Sequence, residues 1–116
     1  MGVRRTMVFG MARLGIALGA LSVGAAAMSQ AAPKQYTVVM ANMNYGALPG
    51  AAKVGDTIVW VNRDSVPHTV TARDHSFDLR VAPGQSGKMT LQKAGAFPFY
   101  CIFHSMMRGT LKVAAK

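Results

Sequence analysis

One cysteine stands in this 116-residue chain, three residues before a histidine that is itself three residues before a methionine, and that spacing constrains the molecule more than anything else in it. Cys101-x-x-His104-x-x-Met107 brings a thiolate, an imidazole and a thioether into one short stretch. Such a soft donor set suits copper better than calcium, magnesium or manganese. Zinc would be satisfied by the cysteine and histidine but gains little from a thioether. A trigonal site of two histidines and one cysteine with a weak axial methionine is the arrangement of electron-transfer copper centres, and it requires a second histidine. His68, in Val66-Pro67-His68-Thr69-Val70, is the leading candidate, whereas His75, in the polar run Arg73-Asp74-His75-Ser76, reads as a surface-loop histidine. Met106 competes with Met107 for the axial place, while Met40 and Met43 read as packing residues.

The cysteine also has to be reconciled with its compartment. Arg4, Arg5 and Arg13 form a positive stretch without acidic residues, followed by the apolar, Ala- and Gly-rich run from Leu14 to Met28. This is the pattern of a secretory signal. The run falls short of the ~20 residues of a membrane helix, and Gly15, Gly19 and Gly24 weaken it as an anchor, so no stable membrane insertion is expected once it is removed. Cleavage is expected after Ala31, with Ala27 as the alternative, leaving residues 32–116 as a single exported domain. The general secretory route is favoured over the twin-arginine route that Arg4-Arg5 raises. In an oxidising compartment structural cysteines come in pairs, so a lone thiol needs protection by a metal, a catalytic role, an intermolecular disulfide or burial. No oxyanion-hole glycine pattern or orienting acid accompanies Cys101 and His104, which sets metal ligation ahead of nucleophilic catalysis; an enzyme is not expected.

From residue 35 the chain reads as β throughout. Gln35 to Met40 is dense in β-branched and aromatic residues; Asn42 to Gly50 is a loop by its Asn, Gly and Pro content; Ala51 to Val54 can start a short strand. Gly55-Asp56 is a turn signal feeding Thr57 to Asn62, the strongest strand pattern. Arg63-Asp64-Ser65 breaks that strand, Pro67 holds Val66 extended, and His68 to Thr71 resumes strand character. Ala72 to Gly84 reads as connection, and Ser86 to Gln92 as a strand with Met89 and Leu91 inward. Phe97 to Cys101 is a strand with Phe97, Phe99 and Cys101 on one face, after which Arg108 and Gly109 are expected to turn the chain into a closing strand, Thr110 to Val113. Roughly seven short strands separated by turns indicate an all-β antiparallel sandwich or barrel, with Trp60 and Phe97 in its core.

The run Val54-Gly55-Asp56-Thr57-Ile58-Val59-Trp60-Val61-Asn62-Arg63-Asp64-Ser65-Val66-Pro67-His68-Thr69-Val70 is followed by Pro83-Gly84-Gln85-Ser86 and then by Tyr100-Cys101-x-x-His104-x-x-Met107-Arg108-Gly109. Together these resemble the cupredoxins, the small blue copper proteins, and in particular those members with only two residues between the later ligands. The resemblance spans about Tyr36 to Val113. It implies a Greek-key β-sandwich holding one copper at one end through His68, Cys101, His104 and axial Met107, cycling between Cu(I) and Cu(II). It also implies an electron carrier between periplasmic redox proteins, such as a c-type cytochrome or a dehydrogenase. Members with the short loop carry proline on both sides of the second histidine, where this chain has Phe103 and Ser105. Asn62 and Thr69 are candidates for hydrogen-bonding residues that pin the ligand loops. Copper delivery to an oxidase is the alternative function.

Charge bears on the partner. The leader holds three of the 13 Lys and Arg, so ten remain against four Asp in residues 32–116, a net charge of +6. Export argues against nucleic acid, and the basic residues are scattered along the chain, as on a solvated surface. Ile102, Phe103 and Met106 are expected to form an apolar docking surface around the edge of His104, for an acidic partner. A monomer is expected.

Overall fold

The computed structural model describes residues 31–116; the expected signal sequence, its last residue Ala31 apart, lies outside the described residues. Eight strands follow in order: β1 (Gln35–Ala41), β2 (Asn44–Tyr45), β3 (Thr57–Asn62), β4 (His68–Ala72), β5 (Asp78–Val81), β6 (Ser86–Thr90), β7 (Gly95–Cys101) and β8 (His104–Val113). They make two four-stranded sheets, ordered β2-β1-β3-β6 and β5-β4-β7-β8. Every pair is antiparallel except β1 with β3, which run parallel with Gln35 opposite Thr57 and Met40 opposite Asn62. The all-β sandwich expected from the strand pattern is the fold.

Period-two alternation explains the layers. On β3, Ile58, Trp60 and Asn62 are buried while Thr57, Val59 and Val61 are only half-covered. On β7, Phe97, Phe99 and Cys101 turn inward, as their spacing predicts. The two inner faces meet in a cluster of rings: Trp60 of the first sheet lies 5.5 Å from Phe99 of the second, and Tyr45 lies 4.7 Å from Phe99, both edge to face. Such pairs contribute about 0.5–1.5 kcal/mol beyond the area they bury. Val38, Met40, Val70 and Leu111 complete the core, and Cys101 and Met107 belong to the same cluster.

Four segments depart from the sequence reading. Ala51 to Val54, expected to start a short strand, forms none: Lys53 alone makes an isolated parallel bridge, to Ala114. Asp78–Val81, expected as connection, is a strand because it pairs with β4, Thr71 opposite Asp78 and His68 opposite Val81. Asn44–Tyr45, expected as loop, pairs back onto β1 through the two-residue turn Asn42-Met43, both residues having positive φ (54° and 61°), as a tight hairpin of this hand requires. Arg108-Gly109 is not a turn: the reversal comes earlier, at Ile102-Phe103, and Gly109 sits within β8 opposite Phe99. A Cβ at Gly109 would lie 3.0 Å from the Phe99 ring, so the glycine makes room for the core rather than for a bend.

Asp56, read as part of a turn signal, is a buried clamp at the end of the first sheet where β1 and β3 begin. Its two carboxylate oxygens accept the backbone amides of Lys34 (2.8 Å) and Lys53 (2.9 Å). Those bonds, the one from Lys34 foremost, hold its carboxyl below the usual carboxylate range. A group whose pKa is lowered by folding stabilises the fold above its unfolded value, about 3.9 for aspartate, and that stabilisation is lost as pH falls through the lower folded value. Asp56→Asn keeps one acceptor oxygen and turns an N–H₂ toward the other amide. It is expected to lower the melting temperature at neutral pH, and to lower it less in acid, so that the two melting curves converge as pH falls below about 4. A constant difference from pH 7 to pH 2 would show that the carboxylate is not the stabilising species.

Candidate metal centre

At one end of the sandwich the β3–β4 connection, the β1–β2 turn and the β7–β8 turn are tied together by hydrogen bonds. Cys101 ends β7 and His104 begins β8, paired across the two-residue turn Ile102-Phe103. His68 opens β4 immediately after Pro67. The donor atoms of His68, Cys101 and His104 all lie within 4.8 Å of one another. Cys101 Sγ is 3.9 Å from His68 Nδ1, the separation of two donors sharing one ion through bonds of about 2.0–2.3 Å. The rings of His68 and His104 are 5.2 Å apart and steeply inclined.

The donor set fits a soft metal ion by its own chemistry. Cys101 is unpaired and fully buried, and His68 is likewise at 0% exposure. His104 Nε2 is buried without a hydrogen-bond partner among the described residues, a deficit that a ligand would relieve. Met107 is 1% exposed and Met106 is 86% exposed, because adjacent residues on β8 face opposite ways. Only the first of the two thioethers points into the molecule. His75 stands in an exposed turn at φ 65° and is not part of the cluster.

Hydrogen bonds fix the orientation of these groups. His68 Nε2 lies 2.7 Å from Asp64 Oδ2. A carboxylate can only accept, so Nε2 carries the hydrogen and the Nδ1 lone pair is left free on the side of Cys101. Asp64 also accepts the amides of Asn42 (2.8 Å) and Met43 (3.0 Å) from the positive-φ turn. The bond from His68, then those amides, hold its carboxyl below the ordinary range. Thr69 donates its N–H to Cys101 Sγ at 3.3 Å, and its hydroxyl accepts the amide of Ile102 at 2.9 Å. The Tyr45 hydroxyl donates to the Thr69 carbonyl, and burial, followed by the nearby Cys101, raises the Tyr45 pKa. Buried Asn62 gives its side-chain N–H₂ to the carbonyls of Val66 (2.8 Å) and Val81 (3.1 Å), with Ala82 within 3.3 Å, and its Oδ1 accepts the amide of Asp64 (2.9 Å).

Asp64 and Tyr45 were not singled out from the sequence. Asp64 carries a faint signal, a carboxylate four residues before a candidate ligand with Pro67 between them. Tyr45 carries none, since its partner is 24 residues away. Ile102 (52% exposed), Phe103 (43%) and Met106 are on the surface beside the cluster, with the Arg80 guanidinium 4.9 Å from the Phe103 ring centre.

Residues 14–113 match the family model of the cupredoxin-like domain. The chain belongs to the cupredoxin-like family. It is 30% identical over 93 residues to an amicyanin of Paracoccus denitrificans, covering 75% of this chain and 71% of that protein. An amicyanin of Paracoccus versutus matches at 30% over 67 residues, 53% of this chain and 51% of the relative. Among solved structures, the reduced state of an amicyanin variant superposes with a TM-score of 0.59 at 33% identity, covering 68% of this chain and 81% of the other. A Cu(I) form of another amicyanin variant gives 0.59 at 31%, over 76% and 88%.

Proposed function

We propose that this cupredoxin-like protein is an exported type 1 copper protein that carries single electrons between redox partners. The observation that carries this reading is the convergence of His68, Cys101 and His104 within 4.8 Å at the end of the sandwich. A copper ion held there would supply a one-electron Cu(I)/Cu(II) couple. His68 and His104 would bind it through ring nitrogens and Cys101 through its thiolate, with Met107 as the weak axial donor. Asp64, Thr69 and Asn62 hold the donors in place, so little rearrangement accompanies a change of charge at the site. Burial of Cys101 and Met107 favours retention of the ion through a redox cycle over its release to an acceptor. Residues 1–31 would be the removed leader and 32–116 the mature periplasmic domain. The test is the visible spectrum of the copper-loaded protein: an intense blue band, bleached by a mild reductant, supports the reading, and only weak visible absorption overturns it.

The axial assignment has its own measurement. Met107→Leu is expected to keep the colour and raise the reduction potential, because a weak axial donor tunes the potential more than it holds the ion. Met106→Leu, on the exposed face, is expected to leave the potential unchanged. The reverse pattern would move the axial role to Met106.

His104, half-buried beside Ile102, Phe103 and Met106, would be the electron port, and those three side chains the docking surface. With a net charge of +6 in residues 32–116, an acidic partner such as a c-type cytochrome or a periplasmic dehydrogenase is attracted over distance and seated by the apolar contact. Added salt is therefore expected to slow the second-order electron-transfer rate. Phe103→Glu is expected to slow it on the order of ten-fold at every ionic strength. Stopped-flow traces indifferent to both changes would place the port elsewhere.

A further inference from the structure

Thr69 and Thr71 alternate with core residue Val70 along β4 and so face away from the ring cluster, yet both are buried. Their hydroxyl oxygens lie 2.9 Å apart, and Thr71 Oγ1 lies 2.8 Å from Asp78 Oδ1 on the neighbouring strand. At the other end of this row, Thr69 Oγ1 accepts the Ile102 amide. Four groups are thus in line, running from the tip of the Cys101–His104 turn to the outer strand of the second sheet.

The direction of the row follows from counting hydrogens. Each threonine hydroxyl has one, and an ionised carboxylate has none. A hydrogen bond to the charged carboxylate is the stronger option for Thr71, so its hydrogen goes to Asp78. Thr69 then gives its hydrogen to Thr71 Oγ1 and turns a lone pair to the Ile102 N–H. In the opposite sense, with Thr71 donating to Thr69, the Thr69 hydrogen would have no acceptor in the row and would compete with that of Ile102. An unmet buried hydroxyl is costly. Asp78 therefore sets the polarity of the whole row.

We propose that Thr71 and Asp78 are positioning residues for the metal loop, holding the tip of the Cys101–His104 turn through the chain Ile102 N–H to Thr69 to Thr71 to Asp78. The inference rests on the reading that this turn carries two of the metal donors. Its effect reaches the sulfur because Thr69 also gives its N–H to Cys101 Sγ, and hydrogen bonding around a ligand sulfur tunes the potential.

The experiment substitutes Thr71→Val, which keeps the shape and removes the hydroxyl, in the full chain. Amide exchange is followed by NMR on the metal-free protein, and the reduction potential is measured on the copper-loaded protein. Ile102 exchange is expected to quicken about ten-fold relative to amides of β1 and β3, the size of one lost buried hydrogen bond. The potential is expected to fall as the bond to Cys101 Sγ loosens. Thr71→Ser, which restores the hydroxyl, and Asp78→Asn, whose carbonyl still accepts, should behave as wild type. Asp78→Ala, at an exposed position, should reproduce the Thr71→Val effect without altering a buried site. An Ile102 amide unchanged in both Thr71→Val and Asp78→Ala, a quickening shared equally by β1 and β3, or a potential unmoved in both variants would overturn the proposal. A wild-type protein that forms no blue band would instead sink the copper reading, while the exchange measurement still decides whether the row holds the turn.

Discussion

Cys101→Ala is expected to abolish the intense visible band of the copper-loaded protein completely. Three of the four proposed donors are neutral, so only the cysteine sulfur can supply the thiolate charge-transfer absorption that the reading requires. The substitution also leaves the Thr69 N–H, which points at Cys101 Sγ across 3.3 Å, without its acceptor. Leaving that buried N–H unsatisfied costs about 1–3 kcal/mol, within the ~5–15 kcal/mol stability of a typical domain, so the metal-free variant should keep its β-sheet circular dichroism. Colour lost with the fold intact supports the assignment. A variant that remained intensely blue would show that Cys101 is not the source of the band.

Asp64→Ala is expected to weaken copper binding by about 10–100-fold, the usual consequence of removing the hydrogen-bond partner that orients a ligating histidine. The carboxylate fixes which His68 nitrogen carries the hydrogen and holds the ring so that Nδ1 faces Cys101 Sγ. It also accepts both amides of the Asn42-Met43 turn, and without it Met43, at φ 61°, keeps its unfavourable backbone conformation with less to offset the cost. Asp64→Asn, which can still accept from Nε2 through its carbonyl oxygen, should fall between alanine and wild type. Copper competition titrations against a chelator of known affinity measure all three. Equal affinity in all three proteins would confine Asp64 to a role in the turn.

Much of the architecture was legible in the chain because a strand writes its buried face at every second residue. Ile58, Trp60 and Asn62 declare β3, and Phe97, Phe99 and Cys101 declare the inner face of β7, without reference to any partner. The donor motif was legible for the same local reason: Cys101, His104 and Met107 are close in sequence, and few histidines were available to join them. The shortest elements were not legible. Asn44–Tyr45 is too short to show a period, and Asp78-Leu79-Arg80-Val81 alternates polar with apolar over only four residues, so both are fixed as strands by the edges that β1 and β4 offer them.

Sequence by itself determined the all-β class and pointed to the soft donor set proposed here, with His68 as its proposed distant member. Tertiary structure decided what depends on partners far along the chain. Asp64 reaches a turn 21 and 22 residues before it, and Thr69 meets Cys101 and Ile102 from 32 and 33 residues away. No local pattern encodes which polar groups will meet across such distances, because the meeting is imposed by the packing of the two sheets. The choice between two adjacent methionines belongs with them. A one-residue shift in where β8 begins would exchange the faces of Met106 and Met107, and the start at His104 is set by its pairing with Cys101 across the turn.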